Sequence, residues 1–126
     1  MMNVPDINLA RVYDDARVTR GARRLVDRVW PRGIGKDDLE LDDWIKAVAP
    51  STELRKWFGH DPDRWEKFRR RYRAELDDSK EAVERCLAWY RKGPVVLLYG
   101  AKDRDRNQAV MLREYLRERR IRKEPI

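Results

Sequence analysis

Cysteine and histidine are nearly absent from this chain. It contains one cysteine, Cys86, and one histidine, His60. A lone cysteine cannot form an internal disulfide, and one residue of each type does not supply the ligands of a His/Cys zinc site. We therefore expect no metal and no cofactor, and the cysteine usage fits a reducing cytoplasm. Cys86 itself is expected to be a small buried side chain and not a nucleophile.

Long apolar runs and glycine-rich phosphate loops are also missing. The longest apolar run, Val95–Tyr99, is far too short to cross a bilayer, and the first residues lack the features of a signal peptide. Neither GxGxxG nor GxxxxGK[ST] occurs, so dinucleotide and P-loop nucleotide binding lack their usual glycine cradle. The sequence therefore predicts a cytoplasmic protein with no membrane partner.

Charge, by contrast, is abundant. Charged residues make up 42% of the chain, hydrophobic residues 41%, and the formal net charge is +7. The presence of 5 Trp and 5 Tyr argues against disorder and for one heavily charged domain with a real core. A positive surface favours anionic partners, although charge bears on association and not on fold. Composition does not determine the oligomeric state.

The order of apolar segments predicts a small single α/β domain that is Rossmann-like in outline, with a sheet of few strands covered by helices. Residues 1–8 are expected to be a loose arm, residues 9–118 the domain and residues 119–126 a basic tail. The short polar connector at residues 14–22 leaves the direction of the first strand open. The expected strands are Leu9–Tyr13, a stretch from Arg24 to Trp30, and Val95–Tyr99. The expected helices cover 41–48, 52–58, 62–76, 80–92 and a segment capped by Asp105.

Two of these strands run directly into charged residues. Asp27 and Arg28 interrupt the stretch that ends at Trp30-Pro31, and Lys102 and Asp103 follow Val95–Tyr99. Ligands of α/β sheets bind beyond the carboxyl ends of the strands, so we expect these two turns to be neighbours. Because strand side chains alternate, Asp27 and Arg28 should point to opposite faces and need partners from elsewhere.

The candidate site residues carry three roles. Anion binding is assigned to Arg28, Arg32 and Lys102, acid–base chemistry to Asp27, Asp103 and His60, and pocket lining to Trp30, Tyr99 and Asn107. Each has a structural alternative. Arg28 fits a buried ion pair equally well, and His60 fits a structural residue at a helix–helix corner. Asp27, Arg28 and Lys102 together also fit a buried network with no ligand.

Several motifs resemble those of one known family. They are Arg11–Asp14, Leu25–Gly33, Leu54–Pro62 and Ala101–Asp103, within a match that runs from about residue 9 to 118. The chain resembles the YeaO-like family of bacterial proteins, a domain family of unknown function. The resemblance implies an α/β fold in small bacterial cytoplasmic proteins and implies no reaction. Gly35 stands where this family often has serine, and the basic end at 117–123 looks particular to this chain.

The functional prediction is a small enzyme or binding domain for an anionic ligand, for example one that bears phosphate. The alternative is a nucleic-acid-binding or regulatory protein that acts through its basic C-terminal helix, with weak and non-specific binding. No helix-turn-helix signature accompanies that helix.

Overall fold

The computed structural model describes residues 7–14 and 21–123, with side chains described up to residue 119. The strands are β1 (Ile7–Arg11), β2 (Ala22–Leu25), β3 (Asp43–Trp44) and β4 (Val95–Tyr99). The α-helices are α1 (Thr52–Phe58), α2 (Trp65–Asp78), α3 (Lys80–Lys92) and α4 (Gln108–Lys123), and short 3₁₀ helices cover Lys46–Val48 and Pro62–Arg64. The predicted α/β class is confirmed. Most of the predicted N-terminal arm and the last three residues lie outside the described ranges.

The sheet is parallel and has the strand order β1-β4-β2-β3. The central strand β4 is buried along its whole length and pairs with β1 on one side and β2 on the other. This settles the direction of the first strand, which the sequence left open. The carboxyl ends of β1, β2 and β4 consequently meet at one edge of the sheet.

The two faces of the sheet are covered differently. Val95, Leu97 and Tyr99 of β4 pack into a large cluster with buried side chains from α1 to α4. Val96 and Leu98 face the other way and pack with Leu25 and with apolar side chains from the segment at residues 30–44. The helices therefore lie on one face, and an irregular segment covers the other. Among the described residues, no helix is long and apolar enough to cross a membrane.

The predicted ends of α1 are confirmed. The Ser51 hydroxyl accepts a hydrogen bond from the Leu54 amide at 3.1 Å, and Gly59 ends the helix in the left-handed conformation with a φ of 52°. The predicted start of the last helix is wrong. Its cap is Asn107, whose side-chain oxygen accepts from the Val110 amide at 3.1 Å, and Asp105 lies before it in the loop.

The helix predicted at residues 41–48 is also wrong, because that segment forms β3 and a 3₁₀ turn. Trp44 pairs with Leu25 of β2 and packs on the irregular face, whereas Ile45 and Val48 are buried on the helical face. The apolar residues recur at helical spacing, yet they serve opposite faces of the sheet. Tertiary pairing therefore overrides the local pattern.

The second strand is shorter than predicted, because it ends at Leu25 and does not reach Trp30. The Val26 amide still donates to the Leu98 carbonyl at 3.1 Å, and beyond that point the chain leaves the sheet. Val29, predicted as a strand residue, is 56% exposed. Asp27 and Arg28 therefore lie in a loop beyond the strand end, where the alternation of side chains no longer applies.

Arg24 is a charged residue buried inside the sheet, with 1% of its surface exposed. Its guanidinium lies 3.2 Å from the centre of the Trp89 ring, and Nη1 donates to the Arg23 carbonyl at 2.8 Å. Asp42 is 3.7 Å away, and Nε and Nη2 find no hydrogen-bond partner in the structure described. Burial lowers the pKa of Arg24. Two unpaired N–H groups in a dry site cost free energy.

We predict that Arg24→Met raises the free energy of unfolding by about 1 kcal/mol. Apolar replacement of a poorly paired buried charge is often neutral to stabilising, and methionine can retain the packing on Trp89. Urea unfolding followed by tryptophan fluorescence measures the change. A loss of more than about 2 kcal/mol would mean that the cation–π contact outweighs the unpaired N–H groups.

Candidate functional site

A cavity of about 620 Å³ opens at the carboxyl edge of the sheet. It lies between the loop after β2, the loop after β4, helix α1 and the start of α4. Of the residues predicted from the sequence, it is lined by Asp27, Arg28, Trp30, Arg32, His60 and Asn107. Edges of this kind are where α/β folds bind ligands.

The two loops that follow β2 and β4 are each hydrogen-bonded to residues at the end of β1. The Tyr13 hydroxyl donates to the Arg32 carbonyl at 2.8 Å, and Arg11 Nε donates to the Ala101 carbonyl at 2.8 Å. Both loops line the cavity, as the strand-end argument expects. The end of β1 thus holds both walls of the cavity in place.

Asp27 is the acidic group of the cavity. Its Oδ2 accepts a hydrogen bond from the Gly100 amide at 2.9 Å, and its Oδ1 accepts from the side-chain amide of Gln108. Both partners are neutral, and within the described ranges Asp27 forms no ion pair. The charge of Arg55 also acts on Asp27 and lowers its pKa.

The pKa of Asp27 is raised from 3.8 to about 6. Burial is the cause, because the charged carboxylate loses water. The two hydrogen bonds and the charge of Arg55 lower the pKa and offset only part of this effect. Asp27 therefore changes its protonation state close to neutral pH, as a group in an acid–base or switching role would.

Arg28 has a mainly structural set of contacts. Its Nε and Nη2 donate to the carbonyls of Pro50 and Ala49, each at 3.0 Å. These carbonyls come immediately before Ser51, the cap of α1. Arg28 thus fixes the start of that helix against the loop after β2, and only the remaining N–H groups of its guanidinium can contribute charge to the cavity.

Arg32 and Arg55 are the cations at the mouth of the cavity, and both side chains are exposed. Within the described ranges, neither guanidinium has an ion-pair partner, although Arg55 acts on Asp27 through its charge. An exposed arginine that is not paired can turn its planar N–H groups towards an incoming carboxylate or phosphate.

His60 lies at the cavity mouth in a strained backbone conformation. Its φ is 58°, which makes it the non-glycine residue with positive φ within residues 7–14 and 21–123. Its ring centre is 6.1 Å from that of Phe58. A left-handed histidine costs about 1 kcal/mol, and such strain is concentrated at functional sites.

Three predicted residues do not line the cavity. Tyr99 is buried in the core beneath the site and hydrogen-bonds to Asn107. Lys102 is exposed outside it. Asp103 accepts hydrogen bonds from the Asp105 and Arg106 amides, which lower its pKa. Lys102 and Asp103 are thus outside the cavity lining, although Ala101 before them and Asn107 after them belong to it.

Asn107 lines the cavity, and its contacts there are structural. It is 2% exposed, its Nδ2 donates to the Asp103 carbonyl at 2.9 Å, and its oxygen caps α4. Asn107 is therefore a buried helix cap, and its side-chain amide is already hydrogen-bonded.

Sequence reasoning missed Arg55 and Gln108, which both line the cavity. Gln108 follows the predicted Asn107 directly, so the same helix-start argument could have found it. Arg55 lies on α1 between apolar positions, and only the tertiary packing of α1 against the loop after β2 brings it to the site. Among the described residues, no group of three His, Cys, Asp or Glu side chains could hold a metal ion.

Comparison with known families bears on this site. A family model described as an inactive DUF488-N3 subclade matches residues 6–125. The chain belongs to this family of YeaO-like domains of unknown function. Uncharacterized protein YeaO of Escherichia coli K12 is 46% identical over 112 residues, which cover 89% of this chain and 97% of that protein.

Mycobacterial proteins are similar as well. Uncharacterized protein Rv3073c of Mycobacterium tuberculosis H37Rv and Mb3100c of Mycobacterium bovis are each 48% identical over 84 residues, which cover 67% of this chain and 71% of each relative. No solved structure matches the chain. The family is bacterial in these relatives, and its description as inactive bears on whether the cavity catalyses or binds.

Asp27→Asn tests the electrostatic cost of the buried carboxylate. Between about pH 4 and pH 6 the native state binds more protons at this position than the unfolded chain, whose Asp has a pKa near 3.8. The free energy of unfolding contributed by Asp27 therefore falls as pH rises through this window. Asparagine keeps the shape and removes the charge.

At about pH 7.5 we expect Asp27→Asn to be more stable than the parent by about 1–2 kcal/mol, less than the full shift because the cavity is open to water. At about pH 3 the two should be nearly equal, since Asp27 is then protonated in both the native and the unfolded state. Urea unfolding at both pH values measures this difference. Destabilisation at about pH 7.5 that disappears at the acid pH would contradict the prediction and show that the charge itself stabilises the loop.

His60→Gly tests the backbone strain. Glycine adopts positive φ at no steric cost, so we expect the variant to gain about 0.5–1 kcal/mol in the free energy of unfolding. Gly59→Ala, at a neighbouring φ of 52°, is the matched control and should lose about 1 kcal/mol. Thermal melts compare the two. A His60→Gly variant that melts lower would place the stabilising role in the histidine ring.

Proposed function

We propose that this protein is a binding domain for a small anionic ligand, held in the cavity at the carboxyl edge of the sheet. The observation that carries the proposal is the pair of guanidiniums, Arg32 and Arg55, at the cavity mouth without ion-pair partners among the described residues. A carboxylate or phosphate is the chemical group that matches two such guanidiniums.

The charge balance of the cavity favours an anion. Arg28, Arg32 and Arg55 line it against one carboxylate, Asp27. The walls are partly desolvated, so each charge acts more strongly on a ligand than it would in bulk water. The net charge of +7 adds a weaker, salt-dependent attraction at long range.

Binding is favoured over catalysis for two reasons. The family is described as an inactive subclade. In addition, both oxygens of Asp27 accept hydrogen bonds that fix the cavity wall, so this carboxylate has a structural role independent of any reaction. An enzymatic role would assign Asp27 as the general base, with Arg32 and Arg55 holding the substrate.

The alternative of nucleic-acid binding through the basic C-terminal helix stays a prediction. On the described part of α4, Glu114 and Glu118 pair with Arg69 and Arg73 of α2. The basic side chains that the alternative needs begin at Arg117 and continue to Lys123, mostly beyond the described side chains. Its test is an additional arm of the experiment below.

Arg32→Ala and Arg55→Ala test the proposal. Each variant should weaken binding of inorganic phosphate or acetate by about tenfold, because a charge-assisted hydrogen bond contributes about 1.5–3 kcal/mol. Arg70→Ala and Lys102→Ala are the matched controls. They remove the same charge from exposed positions outside the cavity and should leave the affinity almost unchanged. Isothermal titration calorimetry gives the dissociation constants.

The same set of variants is titrated with duplex DNA at two salt concentrations. Equal weakening of anion binding by all four substitutions would mean that general surface charge, and not the cavity, attracts the anion. Tight DNA binding that is unaffected by Arg32→Ala and Arg55→Ala would favour the nucleic-acid alternative.

A further inference from the structure

The cavity is much larger than a simple inorganic anion requires. Its volume of about 620 Å³ lies within the range of about 300–1,000 Å³ that is typical of sites for organic ligands. Two guanidiniums at the mouth account for an anionic group alone. The remaining volume can hold an organic group attached to the anionic group.

One part of the inner wall of the cavity is apolar. Phe58 and Phe68 line it, are almost fully buried, and stack on each other with ring centres 4.4 Å apart. Trp30 is held by a hydrogen bond from its Nε1 to the Ile34 carbonyl at 2.7 Å, and it also faces the cavity. Rigid aromatic walls of this kind favour a flat apolar group.

The mouth of the cavity is apolar as well as cationic. In the described ranges the exposed large hydrophobic residues are Tyr13, at 49%, and Val29, at 56%, and both line this cavity. Val29 lies three residues before Arg32 on the same turn, and the Tyr13 hydroxyl binds the Arg32 carbonyl. Apolar and cationic groups thus stand side by side at the mouth.

We propose that the ligand is an organic anion with a flat apolar body, such as an aryl phosphate or an aromatic carboxylate. This inference rests on the proposed function and specifies its ligand class. The anionic group binds Arg32 and Arg55, and the apolar body contacts Tyr13 and Val29 and extends to the aromatic inner wall. Binding then removes from water the hydrophobic side chains that the folded chain leaves exposed.

The test compares matched pairs of probes, each with and without a ring. Inorganic phosphate is compared with phenyl phosphate, and acetate with benzoate, by isothermal titration calorimetry. We expect the ring-bearing probe of each pair to bind about tenfold more tightly, because burial of a phenyl-sized group is worth at least that factor. Equal affinity within both pairs would overturn the inference.

Val29→Ser tests whether the apolar cavity mouth is the surface that favours the ring-bearing probes. It should weaken phenyl phosphate by about threefold and leave inorganic phosphate unchanged, since it removes apolar contact and no charge. Because Val29 is exposed, the variant should fold, and a thermal melt checks this. Val110→Ser on α4, at a half-buried valine outside the cavity lining, is the control, and a thermal melt checks its fold as well.

The outcomes separate the inference from the proposed function. If phosphate and phenyl phosphate bind equally and Arg32→Ala weakens both, the anion site stands and the apolar ligand class is wrong. If none of the four probes binds, both proposals are wrong. If phenyl phosphate binds more tightly and Val29→Ser removes the advantage, the ligand class is supported.

Discussion

The hydrogen bond from the Gly100 amide to Asp27 is the contact on which the cavity depends. It joins the end of the central strand to the loop after β2. A Cβ at position 100 would lie 3.0 Å from Asp27 Oδ2, so glycine lets the carboxylate approach the strand end closely. The loop position that this contact fixes also buries the carboxylate, and burial raises the pKa of Asp27, whereas the hydrogen bond itself lowers it.

The cations of the cavity divide into two kinds, and burial explains the division. Arg28 is half-buried, and its guanidinium donates hydrogen bonds to the carbonyls of Ala49 and Pro50. A desolvated guanidinium needs such partners because it has lost water. Arg32 and Arg55 are exposed, so water satisfies their N–H groups at little cost. Arg28 therefore stabilises the wall of the cavity, and Arg32 and Arg55 are available to bind a ligand.

Local patterns predicted the parts of the fold whose interactions are local. The apolar run Val95–Tyr99 and the cap at Ser51 are examples, and both are confirmed. The helix predicted at residues 41–48 is wrong because the apolar side chains of that segment pack on both faces of the sheet. The argument from strand ends predicted Asp27 and missed Arg55. Nothing near Arg55 in the sequence shows that α1 packs against the loop after β2.

The carboxylate of Asp27 is compatible with an anion site, because it lies in a different part of the cavity from the cations. Asp27 lies with the Gly100 amide and Gln108 on the inner side, whereas Arg32 and Arg55 stand at the mouth. While ionised, Asp27 repels a ligand's anionic group more strongly from the interior than from the mouth, where Arg32 and Arg55 attract it. The interior then offers the apolar part of the ligand its best contacts. One buried charge thus determines which end of the proposed ligand enters first.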